Sequence, residues 1–338
     1  MGKHRLYLIL AILIYGTGCE RDPMSRAAIK SDIPDHFPEI IYPDDNAYSV
    51  ARFELGKSLF YNPVLSRDST LSCGSCHKLH LAFGDNTTTS PGVEGRNGSR
   101  NSPSLANVAY LPYFTREGGV PTLEMQVLVP FQEHNEFDFN IVDAAERLMQ
   151  NDEYVSMSMK AYNRLPDAFV ITRALACFER ELISGESRYD QYVFGGDKSV
   201  MTRDEIAGMN LFFSDKTNCS TCHSGFNFTD NSFANNGLYA ENADVGRMRL
   251  TGKQSDMGLF KVPTLRNISV TAPYMHDGSF NSLRQVVEHY NSGGNSHLNK
   301  DNNVKSLGLA KREIEALLAF LNTLTDDNFI RNENLSIQ

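Results

Sequence analysis

The pattern C-x-x-C-H stands twice in this chain, as "CGSCH" over 73–77 and as "CSTCH" over 219–223. Nothing else in the sequence constrains the fold as strongly. Each copy commits two thiols and an imidazole to one short stretch, so whatever those groups hold must lie against the chain at that point. Six cysteines in an exported chain first suggest three disulfides. The spacing argues against them. Cys73 with Cys76 and Cys219 with Cys222 are close pairs, each followed at once by histidine, and Cys19 closes a targeting segment. That leaves Cys177, inside "ITRALACFEREL", on the same helical stripe as Ala174 and Phe178. It is expected to be a buried, inert thiol.

C-x-x-C-H is the attachment pattern of c-type haem. The cysteines form thioethers to the porphyrin, and the adjacent histidine becomes the proximal ligand of the iron. A shared four-cysteine zinc site, or two redox-active cysteine pairs, would need no histidine after each pair. No thioredoxin-like βαβ pattern surrounds either copy. One haem is therefore expected on Cys73, Cys76 and His77, and a second on Cys219, Cys222 and His223. The histidines lie 146 residues apart (223 − 77), which implies one haem per domain rather than a clustered wire.

Haem of this type is attached outside the cytoplasm, and the N-terminus agrees. Lys3 and Arg5 flank the start of "LYLILAILIY", an apolar run too short to span a bilayer and suited to a signal sequence. It ends in "GTGC". Residues 1–18 read as a lipoprotein-type signal peptide, with Cys19 as the lipidated N-terminus. A plain secretory signal or an uncleaved anchor would export the chain equally. The expected location is the periplasm or cell envelope, lipid-anchored through Cys19. Net charge is −9 and no basic stretch is long enough to suggest nucleic acid.

Residues 19–45 are polar and proline-bearing and read as a tether. Helical patterns then cover 47–60, 142–150 and 167–183. The stretch 184–197 reads as an inter-domain connection. In the second half, Thr202 with Glu205 and Ser282 with Gln285 form capping-box patterns, and 310–324 carries Ile314, Leu317, Leu318 and Leu321 on one face. Alternating strand patterns are scarce. The expected fold class is mainly α: two cytochrome c-like helical domains, 46–185 and 186–330, one c-type haem each, with long loops packed around the cofactors.

The segments "LGKSLFYNPVLSRDSTLSCGSCH", "RNSPSLAN", "DVGR", "GLFKVPTLRNISVTAPYMHDGSF" and "VVEHY" follow one another in an order and spacing that resemble the bacterial di-haem cytochrome c peroxidases and their relative MauG. The resemblance runs from about residue 47 to about residue 325. It implies that the first haem is the peroxide-reactive one. The family's distal spacing Q-x3-P-x5-E is matched by Gln126, Pro130 and Glu136 in "QVLVPFQEHNE". By that match Glu136 is the acid–base group and Gln126 orients bound peroxide. Peroxide must lose a proton at one oxygen and gain one at the other, so the chemistry requires such a group. On residue type alone, Glu133, Glu136 and Asp138 read as a solvated acidic loop; Glu133 is the fallback if the loop is shifted. Classical members carry a distal histidine in an S-x-G-H context. Here "SPGVEGRNGSRN" puts Val93 at that position, and valine cannot ligate iron. His80 lies too near the attachment site to replace it. The first iron is expected to be open in the resting ferric state, as in MauG.

For the second haem, the family's ligand helix reads "VVEHYNSGG" here, which puts Tyr290 where classical members have methionine. Leu283, Val286, Val287 and Tyr290 also continue one helical stripe, as a core tyrosine would. Met275, Met257 and His289 are the rivals. The family's inter-haem tryptophan is absent: the chain has no Trp, and Arg116 takes that place in "YFTREGGVPTLEMQ". Tyr113, Phe114 or direct tunnelling remain open as replacements. The resemblance further implies one calcium ion, on Asn101, Thr271 and Pro273, whose amide and carbonyl oxygens suit a hard cation. Asn101 reads equally as a turn cap.

The implied function is reduction of hydrogen peroxide at the first haem, with electrons passed through the second from a small redox protein, a cytochrome c or a cupredoxin. The alternative is MauG-like, peroxide-driven oxidation of a protein substrate. From another class come a non-catalytic periplasmic electron carrier with both irons six-coordinate, and an envelope lipoprotein whose haem domains only bind a partner. A homodimer is compatible with each.

Overall fold

A computed structural model describes residues 31–337. The signal segment 1–18, Cys19 and the tether as far as residue 30 lie outside the described residues.

The first half is built on two crossing helices. Helix α1 (Val50–Tyr61) begins where the Ser49 hydroxyl accepts the Arg52 N–H at 3.3 Å, and it buries Phe53, Leu55, Leu59 and Phe60. The chain continues through a single turn, α2 (Cys73–Cys76), then α3 (Leu123–Gln126), α4 (Leu128–Gln132), α5 (Ile141–Met149), α6 (Asp152–Tyr162) and α7 (Ala168–Arg180). Helix α7 is buried from Val170 to Arg180 apart from Arg173, so it runs through the middle of this half. Cys177 is fully buried on it, as its stripe implied. Helices α1 and α7 approach so closely that a Cβ added at Gly56 would fall 1.9 Å from the Ala174 carbonyl oxygen.

The second half repeats the plan. Helices α8 (Arg188–Val193), α9 (Arg203–Phe212), the single turns α10 (Cys219–Cys222) and α11 (Met248–Thr251), α12 (Leu283–Ser292) and α13 (Lys311–Asn322) follow in order. Here α9 crosses α13, and a Cβ at Gly208 would again fall 1.9 Å from a carbonyl oxygen, that of Ala316. The two described strands, β1 (Phe233–Ala234) and β2 (Phe260–Lys261), pair antiparallel. Thr202 and Glu205 form the expected capping box of α9. Ser282 caps α12, but the Gln285 side chain turns to the Asn281 N–H and the Ser282 hydroxyl. The architecture is mainly helical, as expected from the scarcity of alternating patterns.

Three departures from the sequence reading have local causes. Helix α6 escaped notice because its buried face holds Ser158, whose hydroxyl donates to the Arg164 carbonyl at 2.7 Å. The connection 184–197 contains α8, started by a Ser187–Asp190 capping box. Residues 31–45, read as tether, are docked. Phe37 and Ile40 are buried, the Ser31 hydroxyl donates to the Glu181 carbonyl, and the His36 ring meets Asp190 at 3.1 Å. Polar composition concealed this strap, because its polar groups are satisfied by partners about 140–150 positions away rather than by water.

The two halves are also interleaved. Phe329, Ile330 and Leu335, from beyond α13, pack into the core of the first half. Between the halves, the buried Asn107 amide donates to the Ser184 carbonyl at 2.9 Å. The buried Asn267 amide donates to the Ser184 hydroxyl at the same distance. Asn107 and Asn267 hold matching left-handed conformations and matching bonds, to the Leu182 and Leu324 carbonyls. The seam is thus formed by equivalent residues of a duplicated unit.

Candidate functional site

Each C-x-x-C-H folds as one helical turn that ends at the histidine. The ring of His77 then bonds through Nδ1 to the Phe83 carbonyl at 2.7 Å, and that of His223 to the Phe228 carbonyl at 3.1 Å. Both phenylalanines have positive φ, 59° and 51°, which turns each carbonyl back onto its ring. A backbone carbonyl accepts only, so Nδ1 carries the proton and Nε2 keeps its lone pair. Burial holds both imidazoles below the usual histidine pKa, hence neutral at pH 7. The four motif thiols are free, none paired with its neighbour, and burial pushes each of them up. Two thiols beside a neutral imidazole oriented through its Nδ1, present twice, are what covalently attached haem requires.

Gln126 ends α3 with its Oε1 buried and without a hydrogen-bond partner. An orphaned acceptor of this kind fits a group that brings its own donor. After α4 the chain folds back on itself. The Phe137 N–H donates to the Pro130 carbonyl at 3.0 Å and the Phe139 N–H to that of Phe131 at 2.9 Å. This presents Glu136 towards the motif, close enough that its charge pushes up Cys73 and Cys76. The Glu136 side chain keeps an exposed edge, yet the protein atoms around it take the place of much of its water. The displaced water, with Glu133 nearby, raises its carboxyl to about 7. Glu133 itself is exposed. Val93 is fully buried and its N–H donates to the Glu136 carbonyl at 3.0 Å. His80 is exposed on a turn behind the motif.

Opposite the second motif, Tyr290 projects from α12. Burial pushes its phenol up, an Asn236 hydrogen bond opposes this, and Cys219 and Cys222 are near enough to add to the rise. Asn236 also donates from Nδ2 to Met275 Sδ at 3.3 Å. Two of the rival side chains therefore meet on one amide. The His289 ring is engaged by the Asn236 carbonyl at 3.0 Å. Met257 closes a turn whose carbonyl accepts from Asn299.

The duplication relates the two clefts. A step of 160 residues links the hairpin pair Phe114–Val120 to Tyr274–Phe280 (274 − 114), and the helix caps Thr122 to Ser282. The same step carries Pro130 to Tyr290. Where the second half has a phenol, the first has at the equivalent position a proline ring with no ligating atom. The matched "PSLANV" and "PTLRNI" would have revealed this repeat in the sequence.

Asn101, Thr271 and Pro273 line one inter-domain cavity of about 140 Å³, together with Arg116 and Lys261. Arg116 donates to the Asn101 carbonyl at 2.7 Å. Tyr113 stacks on Phe233 with 5.1 Å between centroids, and Phe114 is buried in a small cluster of its own. Periodicity gave no sign of Asn236, or of Glu179, a carboxyl on α7 that burial pushes up to about 8 beside Cys73.

The comparisons concern the chain as a whole. The family model described as di-haem cytochrome c peroxidase matches residues 50–199. The chain is 34% identical to the methylamine utilization protein MauG of Methylorubrum extorquens, over 88% of this chain and 84% of that one. It is 34% identical to the cytochrome c551 peroxidase of Nitrosomonas europaea, over 81% and 80%. Among solved structures, a MauG-like protein associated with microbial copper homeostasis superposes with a TM-score of 0.86 at 33% identity, over 90% of this chain and 98% of that one.

Proposed function

The chain belongs to the di-haem cytochrome c peroxidase family, and from that premise we propose that it reduces hydrogen peroxide in the cleft of its first motif, with electrons entering through the second. Cys73, Cys76 and His77 would hold one c-type haem, and Cys219, Cys222 and His223 the other. Haem iron supplies the redox chemistry of O–O cleavage; the rest falls to the protein.

The single observation that carries the reading is the Glu136 carboxyl, raised to about 7 and near enough to Cys73 and Cys76 for its charge to act on both; the buried, unpartnered Gln126 Oε1 supports it. Gln126 can accept the O–H of peroxide and so orient it. As a carboxylate, Glu136 takes the proton from one peroxide oxygen; as a carboxylic acid, it returns that proton to the departing one. A general acid–base group works best when its pKa is near the working pH. The backbone bonds from Val93 and Pro130 hold the Glu136 loop in place, so the carboxyl need not be assembled at each turnover. In the second cleft we assign the distal ligand to Tyr290, supported by its position facing Cys219 and Cys222 and by the Asn236 bond that steadies its oxygen.

One observation favours a second reading, oxidation of a protein substrate with peroxide as oxidant. A hard phenolate at Tyr290, in place of a thioether, would favour oxidised iron in the second cleft. In the first reading the electrons come from a small cytochrome or cupredoxin. Export, with Cys19 as lipid anchor, is also proposed. It rests on Lys3, Arg5 and the apolar run ending at "GTGC", and Cys19→Ser should move the protein from the membrane to the soluble fraction.

The test is an absorption titration of the fully ferric holoprotein with hydrogen peroxide and no reductant. A prompt change in the Soret band is expected from an open first site. No change until one electron is added would show that a sixth ligand must first be released.

A further inference from the structure

We propose that the Arg116 guanidinium takes the place of the calcium ion between the two haem-binding halves, so that this chain holds its inter-domain site with a built-in cation and binds no calcium there.

The residues expected to hold calcium do come together, but their oxygens are engaged. Arg116 approaches the Asn101 carbonyl with Nη2 at 2.7 Å and Nε at 3.2 Å, and the Asn101 side-chain oxygen with Nη2 at 3.3 Å. The two oxygens Asn101 can offer a cation are therefore already facing one. The planar fork of a guanidinium suits this double approach.

The surrounding charge is also wrong for a divalent ion. The cavity is lined by Arg116, Lys261 and Arg266 and by no carboxylate. Arg266 is neutralised by Asp190 at 2.8 Å. Among the described residues, neither Arg116 nor Lys261 has a carboxylate within ion-pair distance; of the carboxylates near enough for their charge to act on Arg116, Glu117 and Asp244 are paired with Arg100 and Asp277 accepts from the Tyr239 hydroxyl. The Lys261 ammonium donates to the neutral Tyr113 carbonyl at 3.0 Å. Calcium takes six to eight oxygens and gains affinity from anionic ones. Here it would have to displace Arg116 from Asn101 and then remain beside two positive charges.

This also explains a sequence departure that otherwise stands alone. Arg116 occupies the position where the resemblance implies tryptophan. One replacement removes an aromatic ring and supplies a cation fixed to the chain, which cannot be lost by exchange with solvent.

The experiment is metal analysis of the full-length holoprotein, purified with calcium chloride present and then desalted, followed by thermal melts with and without millimolar calcium. No stoichiometric calcium and no calcium-dependent rise in Tm are expected. The variants Arg116→Ala and Arg116→Ala/Lys261→Met, checked for both haems by their spectra, should bind calcium. In the double variant, calcium should raise Tm by at least ~3 °C, since an ion that binds only the folded state stabilises it. One calcium per wild-type chain would overturn the proposal. So would a haem-replete double variant whose Tm ignores calcium.

Discussion

The backbone N–H of Val93 donates to the carbonyl oxygen of Glu136 at 3.0 Å, and the Val93 side chain is fully buried behind it. Val93, at the position where the resemblance implies a distal histidine, holds the loop that carries Glu136. Gly92 tightens the contact: a Cβ there would fall 2.0 Å from the Asn135 carbonyl oxygen. Glu136→Gln keeps the shape of the side chain and removes its proton transfer. It should lower kcat/KM for peroxide by ~10²–10⁴-fold, with both haems still attached by their spectra. A loss below tenfold would remove Glu136 from the mechanism.

Glu136 should also set a pH limb. Its carboxyl is raised from the ordinary value of 4.5 to about 7, so below pH 7 it is protonated and cannot take a proton from peroxide. The rate of the peroxide reaction should rise as pH passes through about 7 and then level off. In Glu136→Gln that limb should be missing. If it persists unchanged, another group sets it.

Tyr290 and Met275 share Asn236, and their variants distinguish them. Tyr290→Phe should change the ferric spectrum of the second haem strongly, because a phenyl ring has no oxygen to donate, whereas Met275→Leu should leave the iron ligation intact. A large change in Met275→Leu with none in Tyr290→Phe would give the ligand to the thioether, and with it a higher potential.

The duplicated helix crossing predicts paired effects. Gly56→Ala and Gly208→Ala each force a methyl group against a backbone carbonyl, which cannot rotate away as a side chain would. Each should cost at least ~1–3 kcal/mol in a denaturant melt, and the two costs should be similar. A neutral result at either glycine would mean that the helices separate freely at that crossing.

Glu124 is buried and accepts from Asn46 and Arg180, both at 2.9 Å. Glu124→Ala leaves Arg180 buried without its partner and should destabilise the fold by ~3–5 kcal/mol. Glu124→Ala/Arg180→Met should recover part of that loss, because no unpaired charge then remains. If the double variant is as unstable as the single, the cost lies in the lost Asn46 contact instead.

The local features of the sites were legible because short spacing fixes them. Cys73 to His77 and Cys219 to His223 each span one helical turn. The stripes through Ala174, Cys177 and Phe178 and through Val287 and Tyr290 follow the helical period. Helix α6 was not legible, since its buried face includes a serine whose bond partner is a loop carbonyl. The strap over 31–45 was hidden for a related reason: Ser31 and His36 are polar in sequence but half-buried in the fold, where Glu181 and Asp190 stand in for water.

By itself the sequence determined the chemistry offered by each half: two C-x-x-C-H motifs, each with its adjacent histidine, on a mainly helical scaffold. These depend on groups a few residues apart, which covalent geometry holds together. Tertiary structure alone decided what faces each site from a distance. Arg116 reaches Asn101 across 15 positions, Asn236 meets Met275 across 39, and Asn46 meets Glu124 across 78. No local rule sets such contacts. They arise because burying apolar surface brings distant segments together, and every polar group carried inside must then find whichever partner the packing has placed beside it.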